Sequence, residues 1–382
     1  MKYLLLIFIS LIPLLSQAQD ARSIKTIKFK SESLNQEREV FIYTPPYYNE
    51  NIHDSYNVVY VFDSQNKSLF DLAHSALFFS NDSDLDNPHI VVGIPAFWSD
   101  DPDYFYNRSS DFLPEPQYDK KGGWFYGQAN FKNFFKFINT ELIPYVDANY
   151  RTLPNRVLIG HSLSASFVLQ AFNKNPDIAK GYLVISPNLK YDRQRLVKEV
   201  VSLEDQPLNK FVYFSHVEED HGFVLTGDGL RQVENKLKSI VYFEIDSILN
   251  KSHHTTYLQS VVNGYSKYFE YLAETGYYKP KPIKITVKVP NKEDEVYISG
   301  NQDNLANYED GKVILQRSSD LIREIKLDLP SSTYIRFTGG PNKTEAIMKS
   351  IDLKEMVSFP IDVQSKKEYQ FEITGWQEEA GN

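Results

Sequence analysis

Two rhythms of apolar and polar residues divide the chain. Tyr56 to Phe62 and His89 to Ile94 are apolar without interruption, the pattern of parallel strands covered on both faces. Leu69 to Phe79 lies between them with helical spacing, and Asn130 to Tyr145 places Phe131, Phe134, Phe135, Ile138 and Leu142 on one helical face. Further strands are predicted at Arg156 to Gly160, Tyr182 to Ser186, Lys210 to Ser215 and Val241 to Ile245. Helices follow at about Gly229 to Ser239 and at Tyr257 to Thr275. Ahead of all these, Ile24 to Lys30 and Glu37 to Thr44 read as a hairpin turning at Asn35-Gln36 and stopped by Pro45-Pro46. The alternation of strand and helix predicts a parallel sheet with helices on both faces. Asp100 to Lys121, rich in Asp, Pro and Tyr, reads as one long loop of the kind that walls a site.

Beyond Lys279-Pro280-Lys281-Pro282, a stiff linker by its prolines, the rhythm changes. Ile283 to Val289, Glu295 to Ser299, Gly311 to Gln316, Ile322 to Leu327, Thr333 to Phe337 and Tyr369 to Ile373 are short strands at even spacing. They predict an all-β sandwich of about 100 residues. The 382 residues, 42% hydrophobic, suffice for two such domains.

Composition narrows the function classes. The net charge of −9, with no basic stripe, argues against nucleic acid or an anionic membrane as partner. Lys2, the apolar run Tyr3 to Leu15 and Ser16-Gln17-Ala18 have the form of a signal peptide over residues 1–18, so the protein is expected to be exported, to periplasm or exterior. No later run is long enough for a membrane span. The chain has no cysteine, which excludes disulfides, thiolate metal sites and a cysteine nucleophile.

The chemistry concentrates at Arg156-Val157-Leu158-Ile159-Gly160-His161-Ser162-Leu163-Ser164-Ala165-Ser166. A buried strand, a tight turn carrying one serine and a small-residue helix make the sequence form of a nucleophile elbow. Gly160 and Ser164 flank the turn where strand and helix pass closely; Ser164 stands in place of the usual second glycine of G-x-S-x-G. Ser162 needs a base, and in enzymes built this way the order is serine, acid, histidine. Ser252-His253-His254, between the last strand and the last helix, holds the expected position, with His253 ahead of His254 as the base. The acid belongs after Phe211 to Ser215, where His216-Val217-Glu218-Glu219-Asp220 offers three carboxylates. A zinc reading of His216, Glu219 and His221 is the weaker alternative, and no metal or other cofactor is expected. The oxyanion donors are expected to be the N–H of Leu163 and that of Ser64 or Gln65, since Val61-Phe62 runs into Asp63-Ser64-Gln65.

Across residues 30 to 275 the chain resembles the putative-esterase branch of the α/β-hydrolases. That branch includes esterase D-like, feruloyl and acetyl xylan esterases, mycolyltransferases and enterochelin esterases. The resemblance is carried by Glu37-Arg38, Pro45-Pro46-Tyr47-Tyr48, Val58 to Asp63, Val91 to Ile94 and Asn107-Arg108 to Asp111 with Pro114. Glu141 to Tyr145, Tyr150-Arg151-Thr152, Gly160 to Leu163, Ser186-Pro187 and His253 to Phe269 complete it. It implies an α/β-hydrolase domain over residues 19–278, Ser162 as nucleophile, His253 as base and Glu219 as acid, although some members work as Ser-His dyads. Val296 to Asn301, Leu305 and Tyr334 to Gly340 are similar to starch-binding-type β-sandwich modules, with Tyr308 in place of the usual tryptophan. That likeness implies a carbohydrate-binding-like module over 283–382. The expected function is a serine ester hydrolase acting on acyl or feruloyl esters of polysaccharide. A siderophore lactone esterase and a non-catalytic glycan-binding protein on a hydrolase scaffold are the alternatives.

Overall fold

The computed structural model describes residues 23–377, apart from 47, 50–54, 81–88, 102–103, 115–128, 190–193, 218–227, 277–278, 301, 331–332, 341–344, 349–358, 362 and 364–366. The signal-like leader and Glu115 to Phe125 lie outside these residues. An eight-stranded sheet organises the first part of the chain. Its strands are β1 (Ser23–Ser31), β2 (Gln36–Thr44), β3 (Tyr56–Phe62), β4 (His89–Ile94), β7 (Thr152–His161), β8 (Gly181–Ile185), β9 (Phe211–Val217) and β10 (Tyr242–Ile248). The spatial order is β1-β2-β4-β3-β7-β8-β9-β10. The β1–β2 hairpin is antiparallel and β2 joins β4 antiparallel, while every pairing from β4 to β10 is parallel. The sheet is mostly parallel, as the apolar runs predict.

Period-two alternation sorts the strand residues into two cores. Val58, Tyr60 and Phe62 of β3 join one buried cluster, and Val59 and Val61 join the other. Helices α1 (Lys67–Ser80) and α8 (Thr256–Glu274) cover the second face. The first is covered by α3 (Phe131–Lys136), a π-helical stretch at Phe137–Leu142, α4 (Ile143–Asn149), α5 (Leu163–Lys174), α6 (Arg195–Val201) and α7 (Asp228–Ile240). The π-helical stretch moves the buried stripe onto Phe134, Phe137, Ile138, Leu142 and Val146, so Phe135 is only partly buried.

The stretch from Asp100 expected as one loop is in part ordered structure. It holds a small hairpin, β5 (Ser99–Asp101) and β6 (Tyr104–Tyr106), followed by α2 (Arg108–Phe112). Asn107 caps this short helix, accepting from Ser109 N–H at 2.8 Å, while Ser110 Oγ accepts Asn107 N–H. The segment is anchored by a buried ion pair between Arg38 on β2 and Asp111. Arg38 Nη2 lies 2.6 Å and Nη1 3.1 Å from the two carboxylate oxygens, and the Tyr106 hydroxyl donates to Oδ1 at 2.6 Å. Arg38 also reaches Gln36 and the Pro95 carbonyl, so its donors are well engaged in the interior.

Past α8, two further sheets follow. One has five strands, Gln316–Ser319, Ile322–Leu329, Lys281–Lys288, Glu368–Trp376 and Ala346–Met348 in spatial order; the other has four, Val313–Ile314, Tyr297–Gly300, Thr333–Thr338 and Phe359–Ile361. Residues of both sheets, among them Ile283, Ile285, Val287, Ile298, Ile335 and Phe337, form one separate buried cluster. The expected linker is shorter than the prolines suggest, since a strand already begins at Lys281. Pro282 is tolerated there because it pairs on one side with Asp328, while pairing on the other side starts only at Lys284. A cavity of about 390 Å³ lies where this part meets the entry ends of β3 and β7, lined by Tyr48, Ser55, Tyr150, Thr152, Tyr334 and Ile361 among others.

Candidate active site

The exit ends of β3, β7, β9 and β10 lie along one edge of the sheet, and the sequence-predicted site residues come from the loops at that edge. β7 ends at His161 and α5 starts at Leu163, so Ser162 is the whole turn. Its backbone has φ 62° and ψ −119°, a conformation that strains a side-chain-bearing residue by about 1–3 kcal/mol. Three backbone bonds hold it there: Ser162 N–H to Ile185 O at 2.9 Å, and Ser162 O accepting from Ser166 and Asn188 N–H at 3.2 Å each.

Gly160 is required by the same turn. A Cβ on it would sit 2.3 Å from the Ser164 carbonyl oxygen and 2.6 Å from Ala165 N, against helix backbone that cannot rotate away. Ser164 fits where glycine is usual because its hydroxyl closes the elbow. It donates to His161 O at 2.9 Å and accepts from His161 N–H at 3.0 Å. Beneath the helix, Phe167 packs against Phe62, Phe112, Phe131 and Phe134, with ring centroids 4.8 to 5.5 Å apart. Leu163, buried at the first helical position, directs its N–H out of the helix start, where the dipole favours negative charge.

The second component is the loop between β10 and α8. Ser252 and Thr255 tie it into a turn, with Ser252 N–H donating to Thr255 Oγ1 at 2.9 Å and Thr255 N–H to Ser252 O at 3.1 Å. His253 within that turn is half-buried; its ring lies 4.8 Å from the His161 ring and its carbonyl 2.7 Å from His161 Nε2. His254 is exposed, with its ring edge-on to that of His253 at 5.5 Å. The fold thus brings His253, not His254, against the elbow. Burial above all, with His253 adding to it, pushes the His161 imidazole down to about 4, so this ring is neutral near pH 7.

The third component follows β3. Ser64 N–H donates to Ile94 O at 3.2 Å and its hydroxyl to Val61 O at 2.8 Å, which leaves its amide committed to the sheet. Exposed Gln65 braces the turn, donating from Nε2 to Asp63 Oδ1 at 2.9 Å and accepting Ala96 N–H at 2.8 Å. Of the two expected oxyanion donors, the geometry favours Gln65.

Asp63 and Arg108 are not evident from sequence patterning. Asp63, buried and at φ 62°, pairs through both carboxylate oxygens with Arg108 at the head of α2, Nε to Oδ1 at 2.9 Å. Burial alone would raise the Asp63 carboxyl; the Arg108 guanidinium, helped by Gln65 and Ser164, reverses this and holds it below the usual range. The pair spans 45 residues of sequence, and its only local signal is an aspartate where a strand ends. Glu218, Glu219, Asp220 and His221 lie outside the described residues; β9 delivers the chain to that segment at Val217, beside β10.

Comparison with known proteins follows the same lines. Residues 31–207 match the family model described as Putative esterase. A stretch of 97 residues, 24% of the chain, is 31% identical to the ferri-bacillibactin esterase BesA of Bacillus subtilis (strain 168). The match spans 34% of that relative, about a third of its length. Among solved structures, an IroE-like serine hydrolase from Shewanella oneidensis superposes with a TM-score of 0.55 at 21% identity, covering 65% of this chain and 80% of that one. Siderophore hydrolase EstA from Aspergillus nidulans gives 0.53 at 17% identity, covering 68% and 97%. These likenesses bear out the α/β-hydrolase fold expected from the sequence.

Proposed function

We propose that the protein, whose residues 31–207 match the family model described as Putative esterase, is an exported carboxylic ester hydrolase working through an acyl-enzyme on Ser162. The observation that carries this reading is the elbow itself: a serine at φ 62° between a parallel strand and a helix start, with His253 packed against its neighbour. Ser162 Oγ adds to the ester carbonyl carbon while His253 takes its proton. The oxygen that gains charge is held by the N–H groups of Leu163 and Gln65; one such donor is worth about 10²–10³ in rate. The carbonyl re-forms, the C–O bond to the alcohol breaks, and His253 returns the proton to the departing oxygen. Water then adds to the acyl-enzyme with His253 again as base, releasing the acid and free Ser162. The carboxylates of Glu218, Glu219 and Asp220, with Glu219 first, are the proposed partners of His253. Export is read from the leader Met1 to Ala18.

For substrate, the relatives favour a siderophore-type ester, because BesA is a ferri-bacillibactin esterase. The second reading, an acyl or feruloyl ester of polysaccharide, rests on the starch-binding-like residues after Val296. The test is turnover of p-nitrophenyl acetate, methyl ferulate and a catecholate trilactone by the wild-type protein and Ser162→Ala. The variant is expected to lose all three activities, and a variant keeping more than about a tenth of the rate would refute the nucleophile. The trilactone is expected to be the best of the three, and a clear preference for the ferulate would move the assignment to polysaccharide.

A further inference from the structure

His161 stands beside the nucleophile, yet the chemistry above gives it no part. Its surroundings are specific. The ring is buried, 8% exposed, wedged between His253 at 4.8 Å and the edge of Tyr257 at 5.7 Å. Both its backbone groups are bonded to Ser164 Oγ, so the elbow fixes where the ring points. Its Nε2 lies 2.7 Å from the His253 carbonyl oxygen. A carbonyl can only accept, so Nε2 must carry the proton and donate it.

We infer that His161 is a positioning residue for the base: through Nε2–H it holds the backbone of His253 and locks the histidine loop to the nucleophile elbow. This rests on the reading of Ser162 and His253 as nucleophile and base. The loop it holds needs such a tether, because Leu249 to Ser252, His254 and Thr255 are all exposed. Few apolar contacts oppose the conformational freedom of those residues. A bond from the residue immediately before Ser162 to the backbone of His253 couples the two halves of the site by the shortest covalent route. The same protonation keeps the two imidazoles in different roles: with Nε2 donating, His161 cannot take the serine proton at that atom. The low imidazole value given above agrees with a ring that stays neutral and keeps one donor.

The test compares His161→Gln with His161→Met, two side chains of similar length of which only glutamine can donate. Three quantities are read: kcat and KM on p-nitrophenyl acetate, the rate of Ser162 labelling by a fluorophosphonate, and Tm. The methionine variant should lose about 10- to 100-fold in kcat and in labelling rate, the scale set by a misplacement near 1 Å, with KM changed less than about twofold. The glutamine variant should recover most of that loss at a similar Tm. Methionine behaving like wild type, or glutamine no better than methionine, would overturn the inference while leaving the ester-hydrolase reading intact. A wild-type protein that takes no label at Ser162 would instead overturn that reading, and this inference with it.

Discussion

Gly160→Ala probes the elbow more sharply than any change to the reacting groups. The added Cβ would lie 2.3 Å from the Ser164 carbonyl oxygen and 2.4 Å from its carbon, where ordinary contact begins at 3.4 Å. The start of α5 must therefore retreat by about 1 Å, because the obstructing atoms are helix backbone. Ser162 and the Leu163 N–H ride on that helix start. Overpacking of this kind costs about 1–3 kcal/mol of stability, which lowers Tm by several degrees in a protein of this size. The displacement of the reacting serine is expected to lower kcat/KM by about 100-fold, since catalytic geometry tolerates less than folding does. Calorimetry and p-nitrophenyl acetate kinetics on the same preparation read both effects. A variant with wild-type Tm and more than half of wild-type kcat/KM would show that strand and helix are not as close at Ser162 as described.

Three further outcomes are expected. Asp111→Ala leaves Arg38 buried and unpaired and should cost about 3–5 kcal/mol, whereas Glu37→Ala removes an exposed pair with Lys28 and should change stability by less than about 1 kcal/mol; urea unfolding of both checks the contrast, and equal effects would refute it. For His161, an unfolded imidazole binds its proton near pH 6.5 and the folded one only near 4. The stability it contributes is therefore present above about 6.5 and lost as pH falls from there toward 4, on the order of 3 kcal/mol. Unfolding of wild type and His161→Met at pH 7 and pH 4.5 should show a steeper acid loss for wild type, and parallel losses would contradict it. Truncation after Lys279 removes a whole buried cluster and leaves the other two complete, so the rate on p-nitrophenyl acetate should stay within about twofold; a folded truncation without activity would show that the C-terminal sheets shape the site.

The sequence exposes what repeats locally and hides what pairs at a distance. Continuous apolar runs such as Tyr56 to Phe62 report strands buried on both faces, and the strand-serine-helix spelling around Ser162 reports the elbow, because each is fixed by neighbours in the chain. The place of His253 follows from chain order, and the structure brings it to the elbow. The long-range ion pairs are less legible. Arg38 with Asp111 and Asp63 with Arg108 join residues 73 and 45 positions apart, and nothing in the local pattern of either partner names the other. Ser164 reads as a departure from the usual glycine until its hydroxyl is seen bonding both backbone groups of His161. The α2 turn was hidden because five residues are too few for helical periodicity, and only its cap at Asn107 marks it.

In the proposed reaction Ser162 becomes acylated. Wild-type protein mixed with excess p-nitrophenyl acetate, quenched in acid within the first turnovers and analysed by intact mass and peptide mapping, tests it most directly. A gain of one acetyl group is expected on the peptide containing Ser162, absent in Ser162→Ala and accumulating more slowly in His161→Met than in wild type. Ester turnover in wild type with no acetyl group on Ser162, or with the adduct on another residue, would contradict it.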